Sequence, residues 1–150
     1  MQLDVPHWQQ RQQGDCLVAC VGMVLAYTGQ RVSYERLRQK LGTSTTGTAF
    51  SNLDRLRSFR FTVQREQGNL ATLRKYLEAG HPIIVPVDTE LLPYWLVRSD
   101  IPDQERLTQH AVVVMGIDAQ SIYVNDPDFA EAPQRLEIGW FTDAWNNHAC

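Results

Sequence analysis

Cysteine is scarce in this chain, with three residues among 150, at positions 16, 20 and 150. An odd number cannot all pair, and Cys16 and Cys20 would lie one turn apart on the same helix. The disulfide framework of a small secreted domain is therefore excluded, and reduced thiols are expected. Long apolar runs are missing too: no segment approaches the roughly 18 apolar residues of a membrane span. The opening residues, MQLDVPHWQQ, carry an acid and a proline where a signal peptide has its apolar core. Charge of one sign is also lacking. Fourteen Lys and Arg against 17 Asp and Glu leave a net charge of -3, without the pull of a basic surface on nucleic acid or anionic lipid. Repeats, low-complexity tracts and linkers are absent as well. These absences leave an expected single domain over residues 1–150, with a cytoplasmic location and neither nucleic acid nor membrane as partner.

Standard ligand spacings are missing in the same way. Cys16, Cys20, His148 and Cys150 do not form a recognised zinc pattern. The run GTSTTGT at 42–48 lacks the lysine that a phosphate-cradling loop needs after its second glycine. No metal or organic cofactor is expected.

The first two-thirds of the chain reads as helical. Apolar and small side chains at Cys16, Ala19, Cys20, Met23, Val24 and Tyr27 follow a 3.6-residue period, so a helix is predicted from about Asp15 to Tyr27, ending at Gly29. A second runs from Ser33 as N-cap to Leu41, ahead of Gly42. A third, Ala49 to Phe59, aligns Phe50, Leu53 and Leu56, and a fourth begins at Asn69 and closes at Gly80. A short strand is expected at 61–64 between them. Strands then dominate. Pro82–Val87 is a continuous apolar run fit for a strand buried on both faces. His110–Ile117 and Ser121–Val124 form a hairpin, and Ile138–Trp145 closes the chain as an apolar segment. Residues 88–109 are expected to make an exposed excursion in which Tyr94 and Trp95 pack locally. Helices first and strands second predict an α+β fold, with an N-terminal helical half against a C-terminal antiparallel sheet.

Cys16 stands in the first turn of its helix, where unpaired backbone N–H groups and the helix dipole favour an anion and hence a thiolate. A buried, inert thiol is the commoner role for a lone cysteine, so partners decide the matter. A nucleophilic cysteine needs a base, an orienter for that base and donors for an oxyanion. His110 begins one strand and Asp126 follows the next, so antiparallel pairing brings them together. Gln10, six residues before Cys16, can turn its amide back toward the backbone N–H of Cys16. Taken singly, His110 also reads as a strand-end histidine, Asp126 before Pro127 as a turn former, and Gln10 as one of several surface glutamines.

Together these residues resemble the C39-like branch of the papain-like cysteine peptidases. Gln10 ahead of Asp15-Cys16-Leu17-Val18-Ala19-Cys20, the strand HAVVVMGID from His110 and the hairpin end VNDP with Asp126 are similar to that family's motifs. GTSTTGT, EAG before HPIIVPV and the final WFTDAW extend the likeness over nearly the whole chain. The resemblance implies a papain-like fold and a cysteine peptidase acting on a peptide or protein. Cys16 would be its nucleophile, His110 its acid–base, Asp126 the orienter and Gln10 an oxyanion donor. Leu17 departs from the family's frequent glycine and is expected to add bulk beside the nucleophile. A catalytically idle peptide-binding module and a related acyl transferase or deamidase are the alternatives of the same fold.

Overall fold

The structure is a computed structural model and describes residues 1–59, 61–97 and 108–146. Helix α1 (Cys16–Tyr27) contains no charged residue and is buried almost all round. Leu17, Val18, Val21 and Leu25 are as deeply placed as Ala19, Cys20 and Met23. The buried helix expected from its apolar periodicity is a central rod, as an uncharged sequence requires. A short 3₁₀ turn, Gln13–Asp15, leads into it.

Helix α2 (Tyr34–Leu41) starts where Ser33 accepts a hydrogen bond from Arg36 N and ends at Gly42, which adopts the left-handed conformation. Residues Phe50–Phe59 form a 3₁₀ segment rather than the expected α-helix. Its apolar side chains, Phe50, Leu53, Leu56 and Phe59, recur every three residues, a spacing that eclipses on a threefold helix and drifts off the face of an α-helix. The strand expected at 61–64 is absent. Phe61 and Val63 do alternate inward onto the core, but no neighbouring strand pairs with them. Helix α3 (Leu70–Glu78) opens with a reciprocal capping box between Asn69 and Thr72.

Four antiparallel strands make the sheet, in the order β1 (Ile83–Asp88), β2 (Gln109–Ile117), β3 (Ser121–Asn125) and β4 (Gln134–Glu137). Pairing runs Val87 with His110, Val113 with Asn125 and Val124 with Gln134. The strand buried on both faces is β2, not β1: every residue from His110 to Ile117 is buried. The run at β1 lies at the sheet edge, where Pro86 costs no ladder hydrogen bond. Strand β4 has little apolar content and left no sequence signal.

The sheet is covered on both sides. Ala111, Val113 and Met115 share one apolar core with α1, α2 and the 3₁₀ segment. Val112 and Val114 share a second core with α3, the four-residue helix α4 (Pro93–Leu96) and the final helix α5 (Ile138–Asn146). The division expected between a helical half and a sheet half is thus incomplete, because α3 sits on the far face. Residues Thr89–Leu91 turn inward, and Leu92 and Trp95 are buried, so the excursion after β1 begins packed, not exposed. Its remainder, 98–107, lies outside the described residues, as do His148 and Cys150.

The N-terminal arm is strapped over the sheet. Leu3 N donates to Met115 O at 2.7 Å and Ile117 N to Met1 O at 3.0 Å. Asn125 Nδ2 reaches Val5 O at 3.1 Å. The Trp8 ring then stacks on Tyr34 and covers Gly22 of α1, where a β-carbon would stand 2.1 Å from Cζ3 of the ring. Gly22→Ala is expected to unseat Trp8 and cost about 1–3 kcal/mol, the usual range for overpacking, measured as a shift in urea midpoint at constant slope.

Candidate active site

Period-two alternation puts His110, Val112 and Val114 on one face of the sheet, together with Ile122 and Val124. Carrying the β2–β3 register one step past Asn125 sets Asp126 on that same face, diagonal to His110. The geometry agrees: His110 Nε2 lies 2.7 Å from Asp126 Oδ1, with both side chains buried. Cys16, at the first position of α1, is half-buried, and its thiol is near enough to act on His110 through hydrogen bonding and charge. Since the carboxylate occupies Nε2, Nδ1 is the ring nitrogen left for the sulfur. Three residues separated by up to 110 positions are therefore brought into one chain of contacts.

Asp126 is the most heavily bonded group of the site. Besides His110, its Oδ1 accepts from Asp128 N at 2.9 Å. Its Oδ2 accepts from Tyr94 Oη at 2.8 Å and Trp95 Nε1 at 2.9 Å. Its backbone oxygen lies 3.0 Å from His7 Nε2. Burial alone would raise the carboxyl's pKa, but the His110 charge and these donors outweigh it and hold it below the ordinary carboxylate range. Burial likewise opposes charge on His110, and there too the partner wins: Asp126, with Cys16 adding, holds the imidazole above its ordinary value. Both shifts favour the charged forms of this buried pair.

The turn that presents Cys16 is held from the other side. Asp15 does not cap α1 with its side chain, as its type and position suggested. It is fully buried, and accepts from Tyr34 Oη at 2.6 Å and from Arg38 Nε at 3.0 Å, both on α2. Gly14 lies under the 44–47 turn, where a β-carbon would stand 2.6 Å from Ser44 O, so only glycine fits. The GTSTTGT run is thus a brace against the nucleophile's turn.

Gln10 is placed by its backbone N, which donates to Pro127 O at 2.7 Å, next to Asp126. Its amide nitrogen donates to Gln12 O at 3.0 Å and Gln13 O at 3.1 Å, while its buried Oε1 has no hydrogen-bond partner. The amide thus faces the carbonyls of the turn before Cys16. To meet an oxyanion it must rotate away from them.

Two sequence expectations change here. Leu17 is 1 % exposed and points into the core, so its bulk is spent on packing and not on the surroundings of the sulfur. Tyr94 and Trp95 are not merely local packing, since both grip Asp126. Sequence offered their adjacency and a loop leading from the strand beside the site, but nothing in it tied them to a residue more than 30 positions away. Cys20 is a different kind of thiol from Cys16. Burial first, then the Cys16 and Asp126 charges, push it well above the ordinary thiol range, and it donates to Ala111 O at 3.4 Å. Among the described residues, no group of three or more His, Cys, Asp or Glu is disposed to hold a metal ion. No described helix is long and apolar enough to cross a membrane.

Helices on both faces of a four-stranded antiparallel sheet, with a cysteine at the head of the central helix, define the papain-like α+β fold of C39 peptidase domains. The chain belongs to the Peptidase_C39 like family, whose model matches residues 2–150. Among solved structures, a C39-like peptidase candidate from Bacillus anthracis superposes with a TM-score of 0.75 at 19% identity, covering 95% of this chain and 90% of that one. The peptidase domain of Streptococcus ComA, a bi-functional ABC transporter of a quorum-sensing pathway, gives 0.72 at 22% identity, with coverage of 93% and 90%. A relative in sequence is the lactococcin-G-processing and transport ATP-binding protein LagD of Lactococcus lactis subsp. lactis, 28% identical over 136 residues. That match covers 91% of this chain but 17% of LagD.

The directions of the two shifts fix a stability window. The raised His110 contributes in full below the ordinary imidazole pKa of about 6.5 and is lost as pH rises through its higher folded value. The lowered Asp126 contributes in full above about pH 3.9 and is lost as pH falls through its lower folded value. The gap in Tm between the parent and Asp126→Asn is therefore expected to be widest between about pH 4 and 6.5 and to narrow as pH rises beyond. A gap of constant size from pH 4 to pH 10 would rule out a charged pair.

Proposed function

We propose that this chain is a cysteine peptidase, working as one domain over residues 1–150, that cleaves a peptide amide bond through a thioester on Cys16. The observation that carries this reading is the contact chain from the Cys16 thiol through His110 to Asp126. His110 Nδ1 takes the thiol proton and the sulfur attacks the scissile carbonyl carbon. Negative charge then develops on the carbonyl oxygen, near the Cys16 backbone N–H at the positive end of α1. As the tetrahedral intermediate collapses, the C–N bond breaks and His110 gives its proton to the departing amine. Water, deprotonated by the same imidazole, then attacks the thioester and releases the acid and the free sulfur. Asp126 keeps Nε2 engaged throughout, which fixes the ring and stabilises its charged form.

Gln10 is assigned the second oxyanion donor. Its amide already lies against the turn before Cys16, and its unpartnered Oε1 leaves that placement with a weak hold, so a developing oxyanion can compete for the N–H. A peptide substrate is supported by a structural neighbour, a double glycine motif protease from an AMS/PCAT transporter, solved in complex with a leader peptide. That neighbour matches with a TM-score of 0.56 at 22% identity, covering 96% of this chain and 87% of its own. The processing role in LagD's name points the same way.

Cys16→Ala and His110→Ala are expected to lower peptide turnover by on the order of 10³-fold or more, with Asp126→Asn impaired less completely, as read by mass spectrometry of the cleaved peptide. Parent-level turnover by Cys16→Ala would end the assignment. In the folded protein, iodoacetamide is expected to label half-buried Cys16 well before buried Cys20, as followed by peptide mapping.

A further inference from the structure

The geometry points to Tyr94 and Trp95 as positioning residues for the reaction, two neighbouring side chains that occupy one oxygen of Asp126 and so reserve the other for His110. This inference deepens the cysteine-peptidase reading and rests on it. Three observations converge. Tyr94 Oη and Trp95 Nε1 both donate to Oδ2, at 2.8 and 2.9 Å, while His110 and Asp128 N hold Oδ1 at 2.7 and 2.9 Å. The four donors therefore divide evenly between the two oxygens, and the carboxylate cannot swing without breaking two bonds. The Trp95 ring also meets the His110 ring edge-on, with centroids 5.1 Å apart and planes at 69°, so one side chain touches both base and orienter. Phe129 then braces the pair, 5.0 Å from Tyr94 and 5.4 Å from Trp95, both edge-to-face.

Helix α4 is what makes this possible. Pro93 fixes its first turn, and buried Leu92 pins its entry, so consecutive residues reach one oxygen from two directions. Chemically, two donors on Oδ2 lower the proton affinity of the whole carboxyl group. Asp126 then stays an anion under conditions in which a less supported buried acid would take a proton. Once protonated, it could no longer offset the burial of the imidazolium. His110 would then hold a proton less firmly, and Cys16 would face a weaker base.

The test is the pH dependence of Cys16 alkylation by iodoacetamide, which needs no substrate, in the parent, Tyr94→Phe, Trp95→Phe and the double variant. Each lost donor is expected to move the acid limb of the alkylation rate upward by about one pH unit, since a hydrogen bond to a charged group contributes that order of free energy. The double variant should move further. Melting curves on the same samples separate grip from mere packing: a lower Tm with an unmoved acid limb overturns the inference. The parent supplies an independent reading that needs no folded variant. One of its four tryptophan indole N–H resonances should titrate with the midpoint of the acid limb, and four resonances flat through that range would overturn the inference as well. A parent whose Cys16 is never alkylated ahead of Cys20 would instead overturn the nucleophile assignment, and the indole titration would then decide the grip on Asp126 alone.

Discussion

A carboxylate sealed from water is among the most expensive groups a protein can carry, unless every lone pair finds a donor. Asp126 is such a group, and much of the molecule is arranged to satisfy it. The end of β3 delivers it, His110 near the start of β2 meets it, a tight turn folds Asp128 N back onto it, and α4 is bent inward to cover it. Even the N-terminal arm takes part, through His7 on its carbonyl and Gln10 on the carbonyl of the next residue. The cost of the buried charge is returned as an imidazole held in one orientation, with its charged form favoured.

The opposite wall repeats the design with a second buried acid. Asp15 lies directly before the nucleophile and is neutralised by Arg38 and bonded by Tyr34, which fastens α2 to the head of α1. One acid therefore fixes the sulfur's turn and the other fixes the ring. Neither depends on the other's donors. The stretch between Trp8 and Asp15 links them, being tied to the Asp126 turn at Gln10 and to α2 at Arg11 N, which donates to Tyr34 Oη at 3.0 Å.

Cys16, His110 and Asp126 were legible in the sequence because each stands at the end of a regular element, and strand pairing follows from period-two patterning. Ser33, Gly42 and Asn69 were legible for a similar reason, since a cap is a local matter. What escaped was whatever depends on distant partners. The sequence around Asp15 reads as a helix start, and only α2's arrival turns its carboxylate sideways. Leu17 looked like an obstruction because adjacency in sequence suggests adjacency in space, yet consecutive helical side chains point about 100° apart. Tyr94 and Trp95 carry no spacing signature at all. The exchange between β1 and β2 as the fully covered strand has the same origin: both are apolar runs, and rank within a sheet is not written in either.

Pro86 has a bearing on how this protein meets extended polypeptides. It sits mid-strand on β1, which among the described residues pairs with β2 alone, so the outer margin of the sheet is one amide donor short at its centre. A second chain trying to zip alongside would lose registry there after two or three residues. The sheet thus carries a built-in guard against being extended into a larger one.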